Sequence, residues 1–247
     1  MRKYFTAFQM TQSMFFSIPF PCREWDEKSR PYMLLFLPLI GLEIGAVWWL
    51  FHWVLGRFQI GGGIYGILMC GWPYLATGFI HLDGFMDVTD AVCSWRSLEK
   101  RREILKDSHV GSFAVVWCVF LILAGYSAFS YVSGKHSGIS LLLVPVLSRC
   151  CSALAIMQLK TMSTSQYAGT AGYAKGQKLF LLLLILLCLA GGFFYSWKTG
   201  LVCLAVLLGY GVSLRSSYRS LDGMNGDISG FCICISELCG AAAFALL

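Results

Sequence analysis

The chain has 247 residues, of which 57% are hydrophobic types and only 13% charged, with a formal net charge of +6. A soluble domain carries about a quarter charged residues, so there is too little charge here to cover a soluble surface. Disorder, a collagen-like repeat and a disulfide-stapled scaffold are excluded by the same numbers, and a single polytopic membrane domain over 1–247 is the expectation.

A membrane-spanning helix needs about 20 predominantly apolar residues. Seven such stretches run near Tyr32–Leu55, Ile60–Ile80, Gly111–Ser133, Gly138–Gln158, Leu179–Trp197, Gly200–Leu214 and Ser229–Leu247. They are apolar on every face, which predicts an all-α transmembrane bundle and not a barrel with alternating strands. Before them, Phe5, Phe8, Met14, Phe15, Phe16 and Ile18 are interrupted by polar residues, the pattern of an interfacial amphipathic helix ending at Pro19.

The basic residues set the orientation. With the N-terminus inside, only Arg57, Lys135 and Lys198 of the 19 fall in outer loops, and Arg149 lies within a span. All others fall on the cytoplasmic side, as the positive-inside rule expects of a multi-pass protein of the cell membrane. The basic excess is thereby explained without nucleic acid. The 11 cysteines include no CxxC pair and sit mostly in apolar spans, as small hydrophobes do.

Of the 13 acidic residues, nearly half lie in one segment, 81–110. It opens with His81-Leu82-Asp83-Gly84-Phe85-Met86-Asp87-Val88-Thr89-Asp90. On a helix, positions 83, 87 and 90 fall within roughly 60° of one another. Like charges at this spacing repel, and no Lys or Arg follows until Arg96. A hard divalent cation such as Mg²⁺, Mn²⁺ or Ca²⁺ would relieve the repulsion; a solvated acidic face or a proton pathway are the alternatives. Downstream, Glu103 and Asp107 stand one helical turn apart, and Lys106, Ser108 and His109 add donors that suit a phosphate held by lysine and metal together. Arg101 and Arg102 read as ordinary surface pairs on that helix. In Leu221-Asp222-Gly223-Met224-Asn225-Gly226-Asp227, Asp227 either caps the last helix or joins the site. Glu43, Arg149 and Glu237 lie inside spans, where each costs roughly 2.5–3.5 kcal/mol. Either an Arg149–Glu salt bridge or a ligand-binding Arg149 would account for them.

Taken together, His81-Leu82-Asp83-Gly84 with Asp87 and Asp90, Lys106-Asp107-Ser108 with Gly111, and Gly226-Asp227 with Gly230 resemble the cobalamin synthase family, the adenosylcobinamide-GDP ribazoletransferases. Phe36-x-Pro38-Leu39-Ile40-Gly41, Gly45, Ser148-Arg149 and Glu237 fit the same pattern. Asp222 and Asn225 stand where the family pattern has Gly and Thr, Cys234 where a further acid is common, and Glu43 where an aliphatic residue is expected.

The resemblance implies a Mg²⁺-dependent transfer in which a ribose hydroxyl of α-ribazole, or of α-ribazole 5′-phosphate, attacks adenosylcobinamide-GDP and releases GMP. It further implies metal ligands among Asp83, Asp87, Asp90, Asp107 and Asp227, with proton transfer by an aspartate of the set or by His81. His81, Lys106, Ser108, Arg149 and Asp227 would contact substrate. A CDP-alcohol phosphotransferase also uses an Asp-Gly cluster, but expects Ala-Arg where this chain has Asp87-Val88. An ion-coupled transporter would run through Glu43, Arg149 and Glu237. Gly61-Gly62-Gly63 and Gly191-Gly192 permit close packing, within the chain or in a homo-oligomer.

Overall fold

The computed structural model describes residues 2–21, 25–132, 138–163, 165 and 175–247. Arg23, Glu24 and Lys135 lie outside the described residues, as does most of the stretch 164–174. Among the described residues the secondary structure is helical, with one isolated β-bridge between Thr161 and Met224. The cysteines among them are free thiols, mostly buried in the bundle.

The N-terminal helix α1 (Arg2–Phe15) is followed by a short α2 (Arg30–Met33) leading into α3 (Leu37–Arg57). Helix α1 ends four residues before Pro19. It packs on α2 and the start of α3, with Ala7, Met10 and Phe15 buried beneath it. Then come α4 (Gly62–Ala76), α5 (Ile80–Cys93), α6 (Leu98–Ile104), α7 (Ser112–Tyr131), α8 (Ile139–Gln158), α9 (Lys175–Tyr195), α10 (Trp197–Leu221) and α11 (Gly226–Leu246).

Six of these units are long and apolar enough to cross a membrane: α2 with α3, then α7, α8, α9, α10 and α11. The expected second span, Ile60–Ile80, is different. It breaks after Ala76, and α4 and α5 meet at 91°. The break has a local cause. Gly78 and Phe79 both adopt left-handed backbone, at φ +57° and +65°, a conformation that glycine takes freely and phenylalanine only at a cost. Thr77 closes the end of α4 by donating its hydroxyl to the Pro73 carbonyl at 3.0 Å. The sixth expected span is longer than its apolar run, because α10 continues through Arg215 and Arg219 to Leu221.

The core is built around α8, α10 and α11. α8 is buried along most of its length, and α11 over about two-thirds of its apolar window (67%). α9 is the most peripheral span, with only 17% of its window buried; its exposed Leu182, Leu183, Leu186 and Leu187 present the apolar surface a bilayer requires. α5 packs antiparallel along α11. Gly84 meets the backbone of Asp227 while Gly230 meets that of His81, and a Cβ on Gly84 would lie 2.8 Å from Asp227. Phe85 and Phe231 stack beside this contact at 5.5 Å. The two glycines therefore bring two acid-bearing helix segments together.

Candidate active site

The acidic motif lies on α5, as its spacing predicts. Asp83 is exposed, and Asp87 and Asp90 are half-buried. The like charges of Asp83, Asp227 and Asp90 all reach Asp87. Asp90 packs against Gly111, where any Cβ would collide with its carboxylate, so the glycine ahead of α7 makes room for the acid. Among the described residues, no Lys or Arg forms a salt bridge with Asp83, Asp87, Asp90 or Asp227.

Asp227 joins this face from the first turn of α11, and it is not the helix cap. Asn225 caps instead: its side-chain oxygen accepts from the Ile228 N–H at 2.9 Å, and its amide donates to Asp227 at 2.6 Å. Asn, like the Thr of the family pattern, is a good N-cap residue. Capping by Asn225 leaves one carboxylate oxygen of Asp227 free for the site.

Beside Asp227 opens a cleft of about 530 Å³. Its cations are Arg102, Lys106 and Lys160, and its acids are Asp222 and Asp227. One wall is the segment after α8. Met162 N–H donates to the Met224 carbonyl and Met224 N–H to that of Lys160, each at 2.9 Å. This pairing sets Thr161, Met162 and Ser163 against the start of α11. Nothing in the apolar patterning marks Lys160 or Thr161 as part of a site; the tertiary bridge brings them there.

Arg101 and Arg102 are more than the surface pairs expected of α6. Arg101 donates to the Ser220 carbonyl at 3.2 Å, and Arg102 to those of Leu221 and Asp222 at 3.0 and 2.7 Å. They satisfy the open carbonyls at the C-terminus of α10, where cations are favoured. Asp222 caps that helix in left-handed conformation, at φ +49°. This is a position that suits glycine, which accounts for the family's glycine there. In this chain Asp222 is held by Arg102 at 3.3 Å and Lys160 at 3.6 Å.

Asp107 and Ser108 are not among the residues that line the cleft. α6 ends at Ile104, so Glu103 and Asp107 do not share a helix; Glu103 pairs with Lys100 at 2.7 Å. Asp107 and Ser108 are exposed on the connection to α7. There the side chain of His109, and then its backbone N–H, bond to Asp107 and hold its carboxyl below the ordinary value. Of that triplet, Lys106 alone lines the cleft.

Arg149 lines neither the cleft nor the carboxylate face and is buried within α8. It is 1% exposed and ion-paired with Glu237, which also accepts from the Ser148 hydroxyl at 2.9 Å. Glu43 takes no part: it accepts from Gln12 of α1 at 2.6 Å. The three intramembrane charges thus form one pair and one separate hydrogen bond, not a continuous pathway. His81 is buried at the start of α5, and its carbonyl accepts from the Cys234 thiol at 3.3 Å.

Among the described residues, no three His, Cys, Asp or Glu side chains stand close enough to hold one ion by themselves. The donor chemistry still fits a hard divalent cation: four carboxylates, all oxygen, mutually repelling and without basic partners. Mg²⁺ uses one or two carboxylates and completes its shell with waters and substrate phosphates. Carboxylates standing apart beside an open cationic cleft suit that mode of binding.

The family model described as CobS, cobalamin-5-phosphate synthase, matches residues 7–245. A Clostridium perfringens protein named adenosylcobinamide-GDP ribazoletransferase is 33% identical over the whole of both chains. Relatives of the same name from Clostridium botulinum and Lachnoclostridium phytofermentans are each 30% identical, the first over 97% of both chains and the second over 99% of this chain and 95% of its own. No solved structure matches.

Proposed function

The chain belongs to the cobalamin-5-phosphate synthase family, and from that membership we propose that it is an adenosylcobinamide-GDP ribazoletransferase, working with Mg²⁺ at the cytoplasmic face of the bacterial inner membrane. A ribose hydroxyl of α-ribazole or its 5′-phosphate forms a bond to the diphosphate phosphorus nearer the cobinamide. The bond from that phosphorus to the bridging oxygen breaks, and GMP leaves with that oxygen. The hydroxyl proton passes to a carboxylate. The products are adenosylcobalamin, or its 5′-phosphate, and GMP.

The observation that carries this reading is the meeting of Asp83, Asp87 and Asp90 with Asp227 beside a cleft bearing Arg102, Lys106 and Lys160. Phosphoryl transfer needs chiefly positioning and charge neutralisation. One or two carboxylates from among Asp83, Asp87, Asp90 and Asp227 would hold Mg²⁺, which when bound supplies charge neutralisation at the diphosphate. Lys106 and Lys160 bind its oxygens as point charges. A carboxylate of this set that is not engaged by the metal accepts the proton. The Arg101 and Arg102 bonds to the end of α10 keep the cleft walls in place.

The test is GMP release from adenosylcobinamide-GDP by the purified protein. Release should require both α-ribazole and Mg²⁺ and fall to background in EDTA. Release without acceptor, or undiminished in EDTA, would overturn the assignment.

A further inference from the structure

Asp227 borders two cavities. Besides the cationic cleft, it lines a smaller one of about 90 Å³. At roughly 15 Å³ per water, that is room for about six waters. This is the bulk of one flat bicyclic ring and far below that of a corrinoid.

The apolar walls are Phe15, Leu37, Ile80, Ile156 and Ile233. Phe15 ends α1, and its ring lies nearly parallel to the imidazole of His81, with centroids 6.3 Å apart and an interplanar angle of 23°. Two bonds hold Phe15 there: Gln12 to Glu43 within the bundle, and Ser17 N–H to the Ala76 carbonyl at 2.8 Å. The polar lining consists of Asp83 and Asp227, with His81, Ser152 and Ser229, the two serine hydroxyls bonded to each other. No Lys or Arg is among the described lining residues.

A diphosphate placed here would find no basic side chain among the described lining residues, whereas the neighbouring cleft offers it Arg102, Lys106 and Lys160. A flat, uncharged aromatic body carrying hydroxyls would meet apolar walls and two hydrogen-bond acceptors. We propose that this cavity is the acceptor subsite: the heteroaromatic base of the ribonucleoside lies against Phe15, its ribose hydroxyls face Asp83 and Asp227, and Phe15 and Ile156 set which bases are accepted. The inference rests on the transferase reading. It puts acceptor and donor on opposite sides of Asp227, so that the attacking hydroxyl and the diphosphate meet at the aspartates. It also gives α1 a function, because that helix supplies the aromatic wall.

The test uses the full-length protein in nanodiscs, with GMP release followed while α-ribazole and adenosylcobinamide-GDP are varied separately. Phe15→Ala and Ile156→Trp are expected to raise the KM for α-ribazole about tenfold and to leave the donor KM unchanged. Phe15→Ala should also shift preference toward acceptors with bulkier bases. Phe15→Leu keeps most of the bulk without the ring and reads the same effect if the alanine variant does not fold. An active wild type whose variants change only the donor KM, or only kcat, would overturn the acceptor subsite and leave the transferase reading standing. A wild type that releases no GMP would overturn both.

Discussion

Asp87→Asn is expected to slow GMP release by about 10³-fold, equivalent to about 4 kcal/mol of lost transition-state stabilisation, while the protein unfolds at the same temperature or slightly higher. The two halves of this result have one cause. Asp87 sits between Asp83 and Asp90 on one helix face, with Asp227 opposite, and no described basic residue pairs with it. In a structural role such a residue is a liability, because like charges one turn apart destabilise a helix by a few tenths of a kcal/mol. Removing the charge should relieve the fold and disable the chemistry. Turnover measured beside thermal unfolding in the same detergent checks this, and full activity in Asp87→Asn would remove the residue from the site.

The opposite pattern is expected one layer deeper. Arg149→Ala should destabilise the protein by about 3–5 kcal/mol, because it leaves Glu237 as an unpaired buried charge. Arg149 is fully enclosed, and Ser148 bonds the same carboxylate. The double variant Arg149→Met/Glu237→Leu removes both charges and should recover most of that loss. A coupling energy from the double-mutant cycle, read by unfolding in nanodiscs, decides it. Additive losses from the two single variants would show that the pair is not an energetic unit. Glu43 bonds Gln12 and not this pair, which weighs against transport through Glu43, Arg149 and Glu237.

Much of this was legible in the sequence because apolar length and acid spacing are local signals. The spans near Gly111–Ser133, Gly138–Gln158 and Ser229–Leu247 correspond to α7, α8 and α11 within a few residues. The carboxylate face of Asp83, Asp87 and Asp90 follows from helical period alone. The break at Gly78-Phe79 was less legible, because phenylalanine in left-handed backbone has no sequence signature and the surrounding residues are as apolar as a continuous span. Asp107 looked equivalent to the other aspartates by spacing, yet α6 ends before it and His109 claims it. The cleft residues Lys160 and Thr161 and the aromatic wall at Phe15 depend on contacts between segments far apart in the chain, which no local pattern encodes. The family's glycine at the position of Asp222 and its threonine at that of Asn225 acquire physical reasons only once the two helix caps are visible.

The central claim is that carboxylates from two helices, α5 and α11, serve one divalent cation. Mn²⁺ binding followed by electron paramagnetic resonance, in the presence of adenosylcobinamide-GDP, tests it without relying on turnover. Asp83→Asn on α5 and Asp227→Asn on α11 should each weaken Mn²⁺ binding by at least about tenfold. Wild-type affinity in either variant would contradict a shared site.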